Sequence, residues 1–231
     1  MKTLTIKLTA VLQSWGNEAL YNYRTSAHLP TKSAIIGMLA AALGYERNDP
    51  RIKALDTLRF AVRVDQPGHG MTDFHMVHYY KNAEKKTGAS AKVTYRQYYA
   101  DAIYLVALTG QDNDMEKLEY ALHHPVFPLY FGRRANVPSG VLKTKLYNID
   151  NPIEALKVVP WKASTRFQKR HTEYHAEIIS DAPVDATGTS LVKDRYIAGK
   201  TNRQFGYRPV VKTSVMLKES NVEKPSFFDV V

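Results

Sequence analysis

Four residues near the start of the chain have types that suit contact with an aromatic base or a phosphate. Gln13, Trp15 and Gly16 end the first predicted strand, where the Trp15 ring would stack on a base and Gly16 would let an RNA backbone come close. The other interpretation is a core tryptophan and a turn glycine. Arg24 follows in a predicted loop. It therefore has no helical partner at i+4 with which its side chain could form an ion pair. A phosphate or a base edge is therefore the favoured ligand of Arg24.

The start of the next predicted helix is a second candidate anion site. Free backbone N–H groups at a helix N-terminus attract anions. Capping accounts for the hydroxyls of Thr31 and Ser33, at roughly 1 kcal/mol. Capping does not require Lys32, which sits unfavourably against the helix dipole. A bound phosphate would remove that conflict, so we predict that Lys32 and Ser33 contact phosphate.

The stretch from Met71 to Ala100 is polar, aromatic and basic, and it predicts an extended hairpin. Tyr95 and Arg96 lead into the apolar strand that follows, and an arginine beside an aromatic residue suits single-stranded RNA. His75 would stack on RNA or hydrogen-bond with it. His75 and His78 are three residues apart, so on a strand they point to opposite faces and predict no metal pair.

The run Gly132-Arg133-Arg134 follows the second long predicted helix. Glycine lets successive backbone N–H groups form an anion-binding concavity. Two guanidinium forks can then grip phosphates. We therefore predict that this loop binds RNA.

A further basic stretch, Lys157 to Arg170, carries five basic residues and no acidic residue, with two aromatic rings among them. It either continues an RNA path or keeps this part of the chain soluble. The sequence does not decide between these alternatives.

The predicted elements up to residue 150 follow a βαββαβ order with one insertion. The strands are predicted at Thr3–Leu12, Leu58–Val64, Ala102–Leu108 and Val141–Ile149, and the main helices at Thr31–Tyr45 and Asp114–Leu122. This order predicts an α+β fold, with a ferredoxin-like or RRM-like N-terminal domain and a β-hairpin thumb at about 71–100. The sheet of such a fold leaves one face uncovered by helices, which is a common place for RNA.

The chain changes character after Asn151-Pro152, where turn-rich stretches separate three more predicted strands. We predict an RNA-binding domain over residues 1–150 and a smaller β-rich unit over 151–231. An extension of the first sheet is the alternative for this second part.

Composition narrows the classes of protein. The 231 residues include 32 Lys and Arg against 22 Asp and Glu, a formal charge of +10, which favours a polyanionic partner or an anionic membrane surface. There is no cysteine, which excludes disulfides and thiolate chemistry and indicates a reducing compartment. Met1 to Leu12 does not read as a signal peptide, and no apolar run has the length of a membrane span. We expect a cytoplasmic protein.

Catalytic motifs are missing from the sequence. It holds no Gly-x-Ser-x-Gly, no P-loop and no His-Glu-x-x-His, and its carboxylates show no two-metal spacing. We therefore predict no catalytic residue, no metal and no cofactor. A metal-independent ribonuclease, however, needs only groups that move protons and stabilise phosphate. Tyrosine, lysine and histidine are abundant, so that class stays open.

Several of these motifs, taken in order, resemble one family. They are Leu12-Gln13-Ser14-Trp15-Gly16, Arg24, Pro30-Thr31-Lys32-Ser33 with Gly37, Asp73-Phe74-His75, Tyr95-Arg96-Gln97-Tyr98 and Tyr130-Phe131-Gly132-Arg133-Arg134. Their order and intervals resemble the CasD family, the RAMP-type subunit that binds the crRNA 5′ handle in the type I-E CRISPR Cascade complex. The resemblance is dense up to about Pro138 and thin afterwards.

The resemblance implies an RRM-like domain with a thumb hairpin in an antiviral ribonucleoprotein complex. Such a subunit holds the repeat-derived 5′ handle of crRNA and contacts the adjoining backbone subunit and the large subunit that reads the PAM. It is non-catalytic in that branch, because a separate endoribonuclease makes the crRNA; in a related branch the equivalent subunit cuts pre-crRNA itself. A free-standing RNA-binding protein is a third reading, but the paired-aromatic RRM signature is absent.

Overall fold

Strands dominate the fold, and most lie where the alternation of apolar and polar residues predicts them. The computed structural model describes residues 1–16, 19–20, 22–82, 84, 86–182, 187–197 and 204–218. The strands in these ranges are β1 (Lys2–Thr9), β2 (Leu12–Gln13), β3 (Ala19–Leu20), β4 (Tyr23–Arg24), β5 (Arg59–Gln66), β6 (His69–Asn82), β7 (Thr87–Ala100), β8 (Ile103–Gly110), β9 (Lys143–Tyr147), β10 (Glu173–Asp181), β11 (Ser190–Ile197) and β12 (Gln204–Lys218). The helices are α1 (Lys32–Ala42), α2 (Ile52–Asp56), α3 (Asp112–His123), α4 (Pro152–Val158) and α5 (Thr165–Arg170).

Seven strands form a large antiparallel sheet in the order β11-β12-β10-β5-β8-β1-β9. In its middle, Ile6 of β1 lies opposite Val106 of β8, so both side chains point to the same face. The other strands form a second sheet around the long hairpin of β6 and β7. The chain is thus an α+β protein with mostly strand content, as the sequence predicts.

The main hydrophobic core lies between one face of the large sheet and helices α1 and α3. Leu4, Ile6 and Leu8 alternate along β1 and are fully buried, which is the pattern that predicted a half-buried strand. The helices contribute Ile35 and Leu39 from α1 and Met115, Leu118 and Leu122 from α3. Thr31 caps α1, because its hydroxyl accepts a hydrogen bond from the Ala34 N–H at 3.3 Å.

The opposite face of the large sheet is not open, which corrects the prediction of a helix-free face for RNA. Helix α4 packs there, with Leu156 buried against Leu105 of β8 and Ile178 of β10. The fully buried Arg63 of β5 donates to backbone carbonyls at the end of α4, at 2.8 Å for Val159, and pairs with Asp65 at 2.6 Å. The guanidinium thus satisfies carbonyls that a helix C-terminus leaves without partners.

Two short helices, α4 and α5, were not predicted. Their caps are visible in the sequence: the Asn151 side chain accepts from the Ile153 N–H at 2.9 Å ahead of Pro152, and the Ser164 hydroxyl accepts from the Phe167 N–H at 3.3 Å. Seven and six residues are too few to show a helical period. Within the described ranges, no helix is long and apolar enough to cross a bilayer.

The strands after residue 172 continue the first sheet. β10 pairs with β5, with Ile178 opposite Arg63, and β12 and β11 add beyond it. The strands β10, β11 and β12 therefore belong to the same sheet as β5, β8, β1 and β9. The rest of the predicted unit, from residue 219, lies outside the described residues.

A buried cluster of four charges, which we call the ion network, ties these last strands to the start of α1. Asp194 of β11 accepts two hydrogen bonds from Arg208 of β12, at 2.6 and 2.9 Å, and one from the Lys32 backbone N–H at 2.9 Å. Asp181 of β10 accepts from the Lys32 ammonium at 2.8 Å and from Arg208. Burial alone would lower the pKa of Arg208, but the hydrogen bonds and charges of the two aspartates raise it overall.

We expect Asp194→Asn to destabilise the fold strongly, because it leaves Arg208 buried without a full counter-charge and weakens the contact to α1. The expected loss in the free energy of unfolding is about 3–5 kcal/mol, measured by urea denaturation. Lys212→Gln is the matched control, since Lys212 and Glu177 form an exposed pair at 3.4 Å whose loss costs about 1 kcal/mol or less. Equal losses for the two variants would contradict the role of the network.

Candidate nucleic-acid interface

The base of the long hairpin is where the predicted binding residues meet. Strand β7 pairs along its whole length with β6. Its other edge pairs with β2, where Gln13 lies opposite Tyr99, and in parallel with β4, where Arg24 lies opposite Arg96. The loop that follows the first strand is thus folded back onto the hairpin.

Two Tyr-Arg dipeptides lie side by side there. Tyr23-Arg24 of β4 pairs in register with Tyr95-Arg96 of β7, so the two tyrosines share one face and the two arginines share the other. The tyrosine rings are 5.9 Å apart between centroids, and both are exposed, at 38% and 46%. Tyr23 was not among the predicted residues, although the repeated dipeptide was a signal for it. The two tyrosine rings therefore lie on one face of this short edge, and the two guanidinium groups lie on the other.

Arg133 connects the loop after α3 to this edge. Its guanidinium donates to the Gln97 carbonyl at 2.9 Å and to the Arg24 carbonyl at 3.0 Å, and it lies 4.3 Å from the centroid of the Tyr98 ring. The predicted phosphate ligand is therefore also a clamp that joins two strands. We call Tyr23, Arg24, Tyr95, Arg96 and Arg133 the hairpin-base site.

The arginines of the hairpin-base site form no ion pair with the carboxylates that the structure describes. Among the described residues, no carboxylate pairs with Arg24, Arg96 or Arg133. Asp73 lies opposite Arg96 in the β6–β7 register without forming an ion pair. The Nε of Arg96 is buried and has no hydrogen-bond partner within the described part of the chain. Most buried donors in folded proteins have a hydrogen-bond partner, so this one is unusual.

Gly132 allows the clamp to form. Its φ is +82°, and a Cβ at this position would lie 1.5 Å from the Ser14 carbonyl oxygen. The neighbouring Phe131 carbonyl accepts a hydrogen bond from the Ser14 N–H at 3.2 Å. The glycine was predicted to open a concavity for phosphate; in the structure it lets the loop press against the chain's own backbone.

Gln13 and Trp15 are buried, which corrects their predicted role at the RNA surface. Gln13 donates to the Ala102 carbonyl at 2.7 Å. Trp15 is 1% exposed and packs against Phe131 and Tyr104, at centroid distances of 5.7 and 6.4 Å. Burial raises the pKa of Tyr104, which stays protonated and donates to the His28 carbonyl at 2.5 Å. A ring enclosed in this way supports the loop and is not available for stacking on a base.

The predicted phosphate site at the start of α1 holds carboxylates of the same chain. Lys32 is 7% exposed, and both its backbone N–H and its ammonium are bound by the ion network. Ser33 is half-buried, with its hydroxyl 3.5 Å from that of Thr31. The electrostatic argument for an anion was sound, but the anion is Asp194. This corrects the predicted role of Lys32 as a phosphate ligand.

The other predicted residues are accessible. His75 of β6 is exposed and shares the hairpin face of Arg96, about 7 Å further towards the tip by the strand rise of two residues. Arg134 is exposed beside the Arg133 clamp, and Gly16 is exposed with open space around it. These three positions border the hairpin-base site. The described residues contain no group of three metal-ligating side chains.

Comparisons with known proteins identify the family. A profile described as "CRISPR-associated protein (Cas_Cas5)" matches residues 3–211. A curated protein of Escherichia coli (strain K12), "CRISPR system Cascade subunit CasD", is 30% identical over 146 residues, which cover 57% of this chain and 65% of that protein. The match therefore spans slightly less than two thirds of that relative's length.

Solved structures agree over nearly the whole chain. A chain of a "CRISPR RNA-guided surveillance complex" superposes with a TM-score of 0.75 and 26% identity, covering 97% of this chain and 95% of that one. A "Crystal structure of Cas protein" gives a TM-score of 0.71 and 30% identity, with 96% and 98% covered. Because the profile covers most of its length, this chain belongs to the Cas_Cas5 family of CRISPR-associated proteins.

Proposed function

We propose that this protein is a non-catalytic RNA-binding subunit of a CRISPR surveillance complex, and that it clamps the repeat-derived 5′ handle of crRNA. The observation that carries the proposal is the hairpin-base site, where Arg24 and Arg96 lie in register beside exposed tyrosines and no carboxylate of the described residues pairs with them. The similarity to a Cascade subunit and to a surveillance-complex chain supports the same role.

In this proposal the parts of the site have different tasks. Arg24 and Arg96 bind phosphates through their guanidinium groups. Tyr23 and Tyr95 stack on an unpaired base. Arg133 is a positioning residue, because two carbonyls already hold its guanidinium. The antiparallel strand order β9-β1-β8-β5 supports a ferredoxin-like, RRM-like platform behind the site.

The two faces of the hairpin suit two kinds of partner. Arg96 and His75 lie on one face, while Phe74, Met76 and Val93 lie on the other and are exposed, Phe74 at 63%. A continuous exposed apolar surface marks a protein contact. We assign the first face to the phosphates of the crRNA handle. On the second face, Tyr23 and Tyr95 at the hairpin base contact a base of the handle, and Met76 and Val93, nearer the tip, contact the adjoining backbone subunit. Contact with the large PAM-reading subunit, and nucleation of the assembly in antiviral defence, complete the proposed role.

Arg24→Ala and Arg96→Ala should each weaken binding of a synthetic handle RNA. Each removes one proposed phosphate contact, so the plot of log K against log [salt] should become shallower by roughly 0.7 per variant. Arg47→Ala is the matched control, because Arg47 is an exposed arginine in the turn after α1. Slopes that stay at the wild-type value in both variants would contradict the site.

Arg133 and Arg134 should respond differently to lysine. Arg133→Lys keeps the charge but loses the planar fork that spans two carbonyls, so handle affinity should fall about tenfold or more and the unfolding free energy should drop. Arg134→Lys should keep the wild-type handle affinity and unfolding free energy, because Arg134 is exposed and a lysine at this position supplies the same positive charge. Full retention of affinity in Arg133→Lys would show that the clamp does not position the site.

Labelled repeat RNA should be bound and not cut. The assay uses the purified full chain with and without EDTA, and it resolves bound RNA on native gels and products on denaturing gels. A discrete cut that survives EDTA and disappears in His75→Ala would instead assign the protein as a metal-independent endoribonuclease that processes pre-crRNA, since His75 shares the face of Arg96.

A further inference from the structure

The side chain of Gln97 joins the hairpin to the loop that carries Tyr23. Gln97 lies on β7 two residues after Tyr95, so the two side chains share one face. Its Oε1 accepts a hydrogen bond from the Ser26 backbone N–H at 3.2 Å, and its Nε2 donates to the Tyr23 hydroxyl at 3.2 Å. Its backbone carbonyl also accepts from the Ser14 hydroxyl at 3.2 Å. Both ends of the loop are therefore bound to this one residue.

The Ser26 N–H determines which way the Gln97 amide points. A backbone N–H can only donate, so the amide atom that faces it has to be the oxygen. The amide nitrogen then faces Tyr23, and because it can only donate, the Tyr23 oxygen accepts. The hydroxyl proton of Tyr23 consequently points away from Gln97. The Tyr23 hydroxyl makes no other hydrogen bond within the part of the chain that the structure describes.

This proton lies on the face of the hairpin base to which we assign a base of the handle. The Tyr23 ring is exposed beside the exposed Tyr95 ring, while Arg24 and Arg96 lie on the other face. A free tyrosine hydroxyl can donate or accept, so it does not discriminate between the two kinds of polar group on a base edge. With its oxygen bound by Gln97, Tyr23 offers the donor. An amino group of a base at the same place would set two donors against each other.

We propose that Gln97 is a positioning residue that makes the Tyr23 hydroxyl a hydrogen-bond donor, and that the base held at the hairpin-base site meets it with an acceptor, a ring nitrogen or a carbonyl oxygen. This inference rests on the proposed function and adds the chemical selectivity of the same site. Phosphate oxygens are acceptors too, but the arginines that bind them lie on the opposite face. The base edge is therefore the partner of the Tyr23 hydroxyl.

Tyr23→Phe tests the donor, because it keeps the ring and removes only the hydroxyl. The probes are synthetic handle RNAs, one of them intact and each of the others lacking the base of one nucleotide. Loss of one hydrogen bond should weaken binding of the intact RNA about fivefold. The same loss should appear on every abasic RNA except one, which the wild type and the variant should bind equally. That RNA identifies the contacted nucleotide. Tyr120→Phe is the matched control, an exposed tyrosine on α3, and should change no affinity.

Gln97→Glu tests the positioning. The carboxylate can still accept from the Ser26 N–H, but its second oxygen is an acceptor and draws the Tyr23 proton towards itself. In the Gln97→Glu background, Tyr23→Phe should therefore leave handle affinity unchanged. The added negative charge weakens binding with and without the Tyr23 hydroxyl, so it cancels in this comparison. A purely structural role of Gln97 would leave the fivefold effect of Tyr23→Phe intact, which would overturn the proposal.

The remaining outcomes separate this inference from the proposed function. Arg24→Ala and Tyr95→Leu report on the hairpin-base site without touching the Gln97 amide. If they weaken handle binding and Tyr23→Phe does not, the site binds the handle and the donor role of Tyr23 is wrong. If none of the three weakens binding, both proposals are wrong. A fivefold loss on every abasic RNA would mean that the hydroxyl contacts the RNA backbone, which contradicts the selection of a base acceptor.

Discussion

The candidate site depends on one planar guanidinium. Arg133 joins the loop after α3 to the carbonyls of Gln97 and Arg24, and so holds two strands at the spacing that brings Arg24 beside Arg96. The clamp can form only because Gly132 leaves room for the Ser14 carbonyl. Three distant segments therefore meet through contacts to backbone carbonyls. A lysine in place of Arg133 could not bind two carbonyls with one planar group, and an alanine in place of Gly132 would clash with the Ser14 carbonyl.

Basic residues that stabilise the fold differ from those that suit a ligand in whether an acidic side chain pairs with them. At the start of α1, Lys32 and Arg208 are buried and matched by Asp181 and Asp194, so this cluster holds strands together. At the hairpin base, arginines lie in register without paired carboxylates among the described residues. A net charge of +10 is therefore unevenly distributed, and the parts that the fold leaves uncompensated are the parts that suit a polyanion.

Local sequence patterns predicted most helices and strands, because the spacing of apolar residues and the residue types that favour turns depend only on residues close in sequence. β1, α1, β8, α3 and the hairpin all lie within a few residues of their predicted bounds. The side-chain roles that failed depend on distant partners. Trp15 is buried by Tyr104 and Phe131, and Lys32 is occupied by Asp181. Neither contact can be recognised from the residues next to Trp15 or Lys32 in the sequence. The repeated Tyr-Arg dipeptide, in contrast, is visible in the sequence itself.

The hairpin itself argues for a role inside an assembly. From residue 87 to 94, and as far as the described chain shows, β7 pairs with β6 alone, so this part is a two-stranded ribbon with both faces uncovered. Such ribbons are marginal in water unless something covers their apolar face. The ladder of Phe74 with Tyr95 and Met76 with Val93 is an apolar face of this kind. A bound RNA and a neighbouring protein would together supply the layers that the chain lacks.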